Sequence, residues 1–128
     1  QDNAINWFQW DKPLNSFFKK CLSFRNKSFA IKEKEFFTEA DIDWHGTCPF
    51  EPNWDSSDQF IGLVTKTKEG FPEYYIGFLP SPERTIVTLP DYENGSWSLG
   101  LWSAKKPKIT SFQKIEVSPF SSFLLEWK

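Results

Sequence analysis

The chain has 128 residues, with 15 Lys and Arg against 17 Asp and Glu and a formal net charge of −2. That balance excludes the one-sided basic excess of a nucleic-acid binder, and no apolar run approaches the ~20 residues needed to cross a bilayer. The length suits one domain able to bury a core without covalent staples.

The composition departs from average in its rings: 14 Phe, 7 Trp and 3 Tyr make up 19% of the chain. Rings of this size dominate cores, and most of the Phe are expected to fill one here. Trp has a second use, because a flat ring with a polar edge also stacks on sugars. The two cysteines, Cys21 and Cys48, are too few for a disulfide framework. Their spacing permits a bridge without requiring one, and reduced thiols in a cytoplasmic protein are the simpler expectation. The chain contains no Met and opens on Gln1, so a processed protein or a piece of a longer one is expected.

In chain order, residues 1–10 (QDNAINWFQW) show no period and read as a loop that tucks three large rings under a neighbour. Residues 11–28 read as an amphipathic helix. Asp11 can cap it and Pro13 suits its first turn. Leu14, Phe17, Phe18, Cys21, Leu22 and Phe24 form its apolar stripe, where Cys21 is expected as a small buried thiol. Phe36 and Phe37 open a short extended piece, and DIDWHG at 41–46 alternates until Gly46. Residues 47–58 read as a long loop. Strand-like runs follow at 59–65, 74–79, 84–89, 96–102, 112–117 and 121–127, separated by turn clusters that include PDYENG and SAKKPKITS. The result is mainly β, an antiparallel β-sandwich of six to eight strands preceded by one helix.

Little in these residues points to chemistry. His45 is the single histidine. With no Cys/His cluster around it, it reads as a packing or hydrogen-bonding group at a strand end rather than a metal ligand. Neither a nucleophile elbow nor a phosphate loop is present. Asp41 and Asp43 share a face if residues 41–44 form a strand, but they read as solvated turn carboxylates rather than a catalytic pair. No catalytic residue, metal or cofactor is expected in this stretch. Nucleic acid and membrane are not expected as partners.

The order of the motifs carries a resemblance. QDNAINWFQWD resembles the QDNExSWxDW segment of the isoamylase-type glycogen-debranching enzymes, which are glycoside hydrolases. LSFRNKSFAI resembles that family's LxxLRxxHPxL helix, and FFTEADIDWHG its FFxGxxxxDIxWHG. PNWDSSDQFIGLVTKT is similar to PDWxxxSRxLAFxLxG, and YYIGFLPSPERTIVTLP, GSWSLGLWSA and SPFSSFLLEWK are similar to the strands that close the family's sequence. Departures are Ala4 for Glu, Ser28-Phe29 for His-Pro, Glu39 or Ala40 for Gly, and Gln59 for Arg.

The resemblance implies an identity for the whole stretch. Residues 1–30 would be the tail of a catalytic (β/α)8 barrel, with its last helix, and residues 31–128 a C-terminal β-sandwich. The parent would hydrolyse α-1,6-glucosidic branch points of glycogen or limit dextrin with carboxylates on barrel strands upstream. The sandwich would mainly support its own barrel, and this stretch alone would be inactive. Asp2, Asn3 and Trp7 are the residues the resemblance places on the substrate side. The alternative is a stand-alone carbohydrate-binding module using Trp7, Trp10, Trp44, Trp54 and Trp102, or a structural β-sandwich.

Overall fold

The computed structural model describes residues 11–32, 36–55, 59–110 and 113–128, with only the backbone of Phe29 and Ala30. Helix α1 spans Lys12–Lys27 and α2 spans Phe29–Lys32. The strands are β1 (Ile42–His45), β2 (Ile61–Lys66), β3 (Pro72–Leu79), β4 (Thr85–Thr88), β5 (Trp97–Trp102), β6 (Lys108–Ile109), β7 (Lys114–Val117) and β8 (Ser121–Trp127). They form a five-stranded sheet in the order β1-β2-β3-β8-β5 and a three-stranded sheet in the order β4-β7-β6. Every pairing is antiparallel. The mainly-β fold, a sandwich preceded by a helix, is the expected one. Among the described residues no helix is long and apolar enough to cross a membrane.

Alternation explains the smaller sheet. Val87 and Leu89 leading out of β4, and Ile115 and Val117 in β7, point inward and are buried. Ile86, Lys114 and Glu116 point out. The inward row of the larger sheet supplies Val64, Tyr75, Leu125 and Phe123, which close the core with Phe60, Leu79 and Trp97. Gly62 and Gly77 sit side by side across β2 and β3. A Cβ on Gly77 would run into the Phe123 ring, and one on Gly62 into the Tyr75 hydroxyl. Their absent side chains let Phe60, Phe123 and Tyr75 lie as near-parallel rings, with neighbouring centroids 5.8 and 6.3 Å apart.

The outer face of the larger sheet is apolar too. Register places Ile42 and Trp44 on that face beside Leu63 and Thr65, then Tyr74, Ile76 and Phe78, then Leu124 between Ser122 and Glu126, so the face is apolar toward β1–β3 and polar along β8. An antiparallel sheet with one solvated face would carry polar residues there. Helix α1 covers this face only in part. Phe24 meets Tyr74 edge-on at 4.7 Å, and the Ser28 hydroxyl donates to Glu73 at 3.3 Å. Gaps of about 240 and 210 Å³ remain between the helix and residues 100–102, Tyr74 and Leu124.

The single stripe expected on α1 divides in two. Phe17, Cys21 and Phe24 face the sheet and are half-buried; Leu14, Phe18 and Leu22 lie on the adjoining face and are exposed. Cys21 is therefore not the buried thiol expected, because no residue of α1 is buried. Asp11 caps the helix as read, its side chain accepting from the Leu14 amide at 3.0 Å. Cys21 and Cys48 are both free.

The expectation that Phe fills the core is also overturned. Among the described residues only Phe60 and Phe123 are buried; Phe18, Phe36, Phe37, Phe50, Phe71, Phe78 and Phe120 are exposed. Valine, isoleucine and leucine fill the interior because flat pleated surfaces pack branched side chains closely. Phe36 and Phe37 lie outside any strand, Phe36 being fully exposed. Strand β6 lies within a segment read as a turn, and β3 starts at Pro72, past a register shift at Thr65/Lys66.

Removing core volume should therefore cost far more than trimming α1. Leu125→Ala is expected to lower the unfolding free energy by about 2–5 kcal/mol. Phe18→Ala, at an exposed position, should change it by about 0.5 kcal/mol or less. Urea denaturation of the two variants checks the contrast.

Candidate functional site

The chemistry-bearing residues of the described structure gather where β1 ends. Asp41 does not join the strand. It precedes it and closes a turn, its carboxylate accepting from the Thr38 hydroxyl at 2.7 Å and the Thr38 amide at 2.8 Å. Those bonds hold its carboxyl below the usual range, the hydroxyl first and the amide second. Asp43, on the inward row, pairs with Lys66 at 2.6 Å and accepts from the Tyr92 hydroxyl at 3.2 Å. Asp41 and Asp43 therefore have separate structural partners and do not form a catalytic pair. Burial, then the charge of Asp43, pushes the Tyr92 phenol well above its ordinary value.

Tyr92 shows that the PDYENG turn does more than reverse the chain. Its ring meets those of Trp97, Trp127 and Phe50 edge-on, and the Trp97 indole donates to the Pro90 carbonyl at 2.8 Å. A turn signal in sequence says nothing about which of its side chains point inward.

The Trp44-His45-Gly46 sequence is built as a hinge for the loop that follows. Gly46 is required because the Glu51 carbonyl passes where a Cβ would stand. Phe50 adopts φ +59°, in the left-handed region, a strain on the order of 1–3 kcal/mol for a bulky residue. Its amide donates to His45 Nδ1 at 2.9 Å. An imidazole nitrogen that accepts is unprotonated, so the neutral ring carries its proton on Nε2. His45 is fully buried and its Nε2 has no partner among the described residues. Burial is the main cause that lowers its pKa to about 4.

Beside that ring lies a cleft of about 190 Å³, lined by His45, Asn53, Trp54, Gln59 and neighbouring loop residues. Trp54 is 64% exposed, and Trp44 stands edge-on to it at 5.5 Å and 71°. Among the described Trp residues considered for sugar contact, only these two come together. Trp102 lies on β5, the opposite edge strand, with the Lys106 amine 5.5 Å over its ring. Trp10, and the substrate-side residues Asp2, Asn3 and Trp7, lie outside the described residues. Among the described residues no group of three or more His, Cys, Asp or Glu is placed to hold a metal ion. The cleft was not legible in the sequence. Its signal was WHG followed by NWD, but the fold-back of the loop depends on Phe50.

No family model matches the chain. Among curated proteins it is 33% identical over 104 residues to Isoamylase 1, chloroplastic, of Arabidopsis thaliana, covering 75% of the chain and 13% of that protein. It is 30% identical over 101 residues to the Oryza sativa subsp. japonica protein of the same name, covering 75% of the chain and 12% of that protein. Isoamylase SU1, chloroplastic, of Zea mays is 28% identical over 102 residues, with 75% and 13% covered. The chain thus spans 12% to 13% of the length of the curated relatives it matches.

His45 gives a direct readout of the hinge. With its folded pKa about 4 against about 6.5 unfolded, the unfolded chain binds more protons between those values. Stability is complete above about pH 6.5 and falls as pH drops toward 4, by on the order of 3 kcal/mol in total. The single imidazole makes the NMR titration unambiguous, and a midpoint near 6.5 would show that the ring is not enclosed as described.

Proposed function

We propose that this chain, an isoamylase-type sequence over three-quarters of its length, is the C-terminal accessory domain of a debranching hydrolase acting on α-1,6-glucosidic branch points of glycogen or limit dextrin. In this reading residues 1–30 belong to the catalytic barrel and residues 31–128 form a sandwich that buttresses it. The catalytic carboxylates lie on the barrel, and Asp2, Asn3 and Trp7 reach toward its substrate. The compartment proposed is the cytoplasm, where free Cys21 and Cys48 stay reduced. The plant relatives, by contrast, are named chloroplastic.

The observation that carries the docking role is the second apolar surface. The outer face of the five-stranded sheet is largely apolar and only part-covered, with Trp44 and Phe78 exposed, and α1 turns Leu14, Phe18 and Leu22 away from it. Exposed apolar residues gathered on one helix face mark a surface that another body covers. Fully burying each such side chain is worth about 1.5–3 kcal/mol. A barrel preceding α1 would supply the cover on both counts, and the relatives have ample chain to form one.

Two outcomes are expected of the purified 128-residue chain. It should release no reducing ends from a branched α-1,6-glucan, because the hydrolytic carboxylates are upstream; measurable hydrolysis would refute that placement. It should also self-associate in sedimentation velocity, and a Leu14→Lys/Phe18→Lys double variant should shift it toward monomer. Wild-type chain that is monomeric at every concentration would remove the support for a docking face on α1.

A further inference from the structure

The docking proposed for α1 leaves the smaller sheet out of account. Its outward face holds a cleft of about 330 Å³ beside the SAKKPKITS turn, lined by Arg84, Lys105, Lys106, Lys108, Glu116 and Ser118. Three segments converge there: the residue before β4, the β5–β6 turn with the start of β6, and β7 with the residue that follows it. Four cations less one carboxylate leave an excess of three positive charges in the cleft, on a chain whose formal net charge is −2. Gathering like charges costs repulsion, and an anion bound among them removes it.

These cations are positioned rather than scattered. Lys108 stands directly opposite Glu116 in register, yet Glu116 pairs with Arg84, Nη1 to Oε1, at 2.9 Å. Lys108 is thereby left without a carboxylate, and Lys105 and Lys106 also make no ion pair among the described residues. Glu116 holds one edge of the Arg84 guanidinium, which keeps other N–H groups for a ligand. The Lys106 ammonium lies 5.5 Å over the Trp102 ring. Pro107 is buried while Lys105, Lys106 and Lys108 are exposed, so the proline anchors the run and turns its amines outward. Half-buried Ser118 adds a hydroxyl donor.

Such a lining selects one ligand chemistry. A neutral or apolar ligand would leave the charges unanswered. A carboxylate brings one negative charge, whereas a phosphoryl group brings close to two at neutral pH and three strong acceptor oxygens. That matches a guanidinium and several ammonium groups converging on one point. A nucleic-acid strand needs a groove of cations that follows its backbone, with open rings for its bases. Here the charge is confined to one cleft, and the neighbouring ring, Trp102, is already taken by Lys106.

We infer that this cleft is a binding site for a phosphoryl dianion, which sits among Lys105, Lys106 and Lys108 and accepts from the Arg84 guanidinium. Inorganic phosphate and a phosphate ester of a sugar share that chemistry. A sugar-borne source rests on the function proposed above; the anion site itself does not.

Titrating the 128-residue chain with inorganic phosphate and with glucose 6-phosphate tests this, at an ionic strength held constant with chloride. The readout is the Arg84 Nε–H and Ser118 amide resonances, which should move and saturate in the millimolar range. Lys105→Gln/Lys108→Gln, at exposed positions that folding does not depend on, should weaken binding at least about tenfold. Lys19→Gln/Lys20→Gln, which removes the same charge from α1, should leave it unchanged. Shifts that never saturate, or that chloride reproduces, would overturn the site. So would binding that survives the Lys105/Lys108 variant or falls equally in the α1 variant. A single-stranded oligonucleotide that displaces glucose 6-phosphate at a lower phosphate concentration would overturn the assignment to a small phosphoryl ligand. Tighter binding of glucose 6-phosphate than of inorganic phosphate assigns the group to a sugar, and equal or weaker binding assigns it to free phosphate; both support the site. None of these results bears on the self-association of α1, so this inference and the accessory-domain reading fail separately.

Discussion

The sandwich depends on two missing side chains. Gly62 and Gly77 lie next to each other across the central strands, and the rings of Tyr75 and Phe123 occupy the space where their Cβ atoms would be. The rings can then lie nearly parallel to one another in the space over the glycine pair. Phe60 continues the layer, and Trp97 meets Tyr75 edge-on at 5.8 Å. The cost is entropic, since glycine in a strand loses more freedom on folding than other residues. The gain is close packing between two sheets of unequal size. The Tyr75 hydroxyl is buried without a partner among the described residues, and burial drives its pKa far up, so it stays a neutral phenol.

Everything outside that layer follows from an imbalance of surface. Three strands can cover only the inner face of five. On the outer face Ile42 and Leu124 are buried, Leu63 and Ile76 only half-buried, and Trp44 and Phe78 left exposed, with unfilled gaps under the one helix that covers it. Exposed Phe78 on that face expresses the same imbalance. In a body that works alone such a surface invites aggregation, whereas in a larger enzyme it is the seam between domains. The isoamylase likeness and the outward-turned stripe of α1 support the same reading from independent directions, one from sequence order and one from packing.

Much of this was legible from residue order. The helix start at Asp11 and most strands followed from alternation and turn chemistry, and the change of period read from residue 36 sets in at β1, from Ile42. What was not legible depended on contacts between distant segments. Strand β6 is two residues long, and it exists because β7 offers it a partner at Ile115 and Glu116. The division of the α1 stripe needed the sheet's position, since Phe17 and Phe18 look alike until one of them has a neighbour. Reading Phe as core filler failed because composition does not say how much apolar surface the fold leaves outside. At the cleft, the sequence placed His45 at a strand end with a hydrogen-bonding role. It could not show that a left-handed Phe50 supplies the bond, nor that Trp54 returns to stand against Trp44.

The central claim is that α1 is held by a partner surface more than by the sandwich behind it. Native-state amide hydrogen exchange on the 128-residue chain tests it most directly, because protection reports how firmly each element is anchored. The account predicts that residues 12–27 exchange orders of magnitude faster than the central strands β3 and β8. Protection of α1 equal to that of β8 in the chain alone would mean that the sandwich is the helix's own partner, and would contradict it.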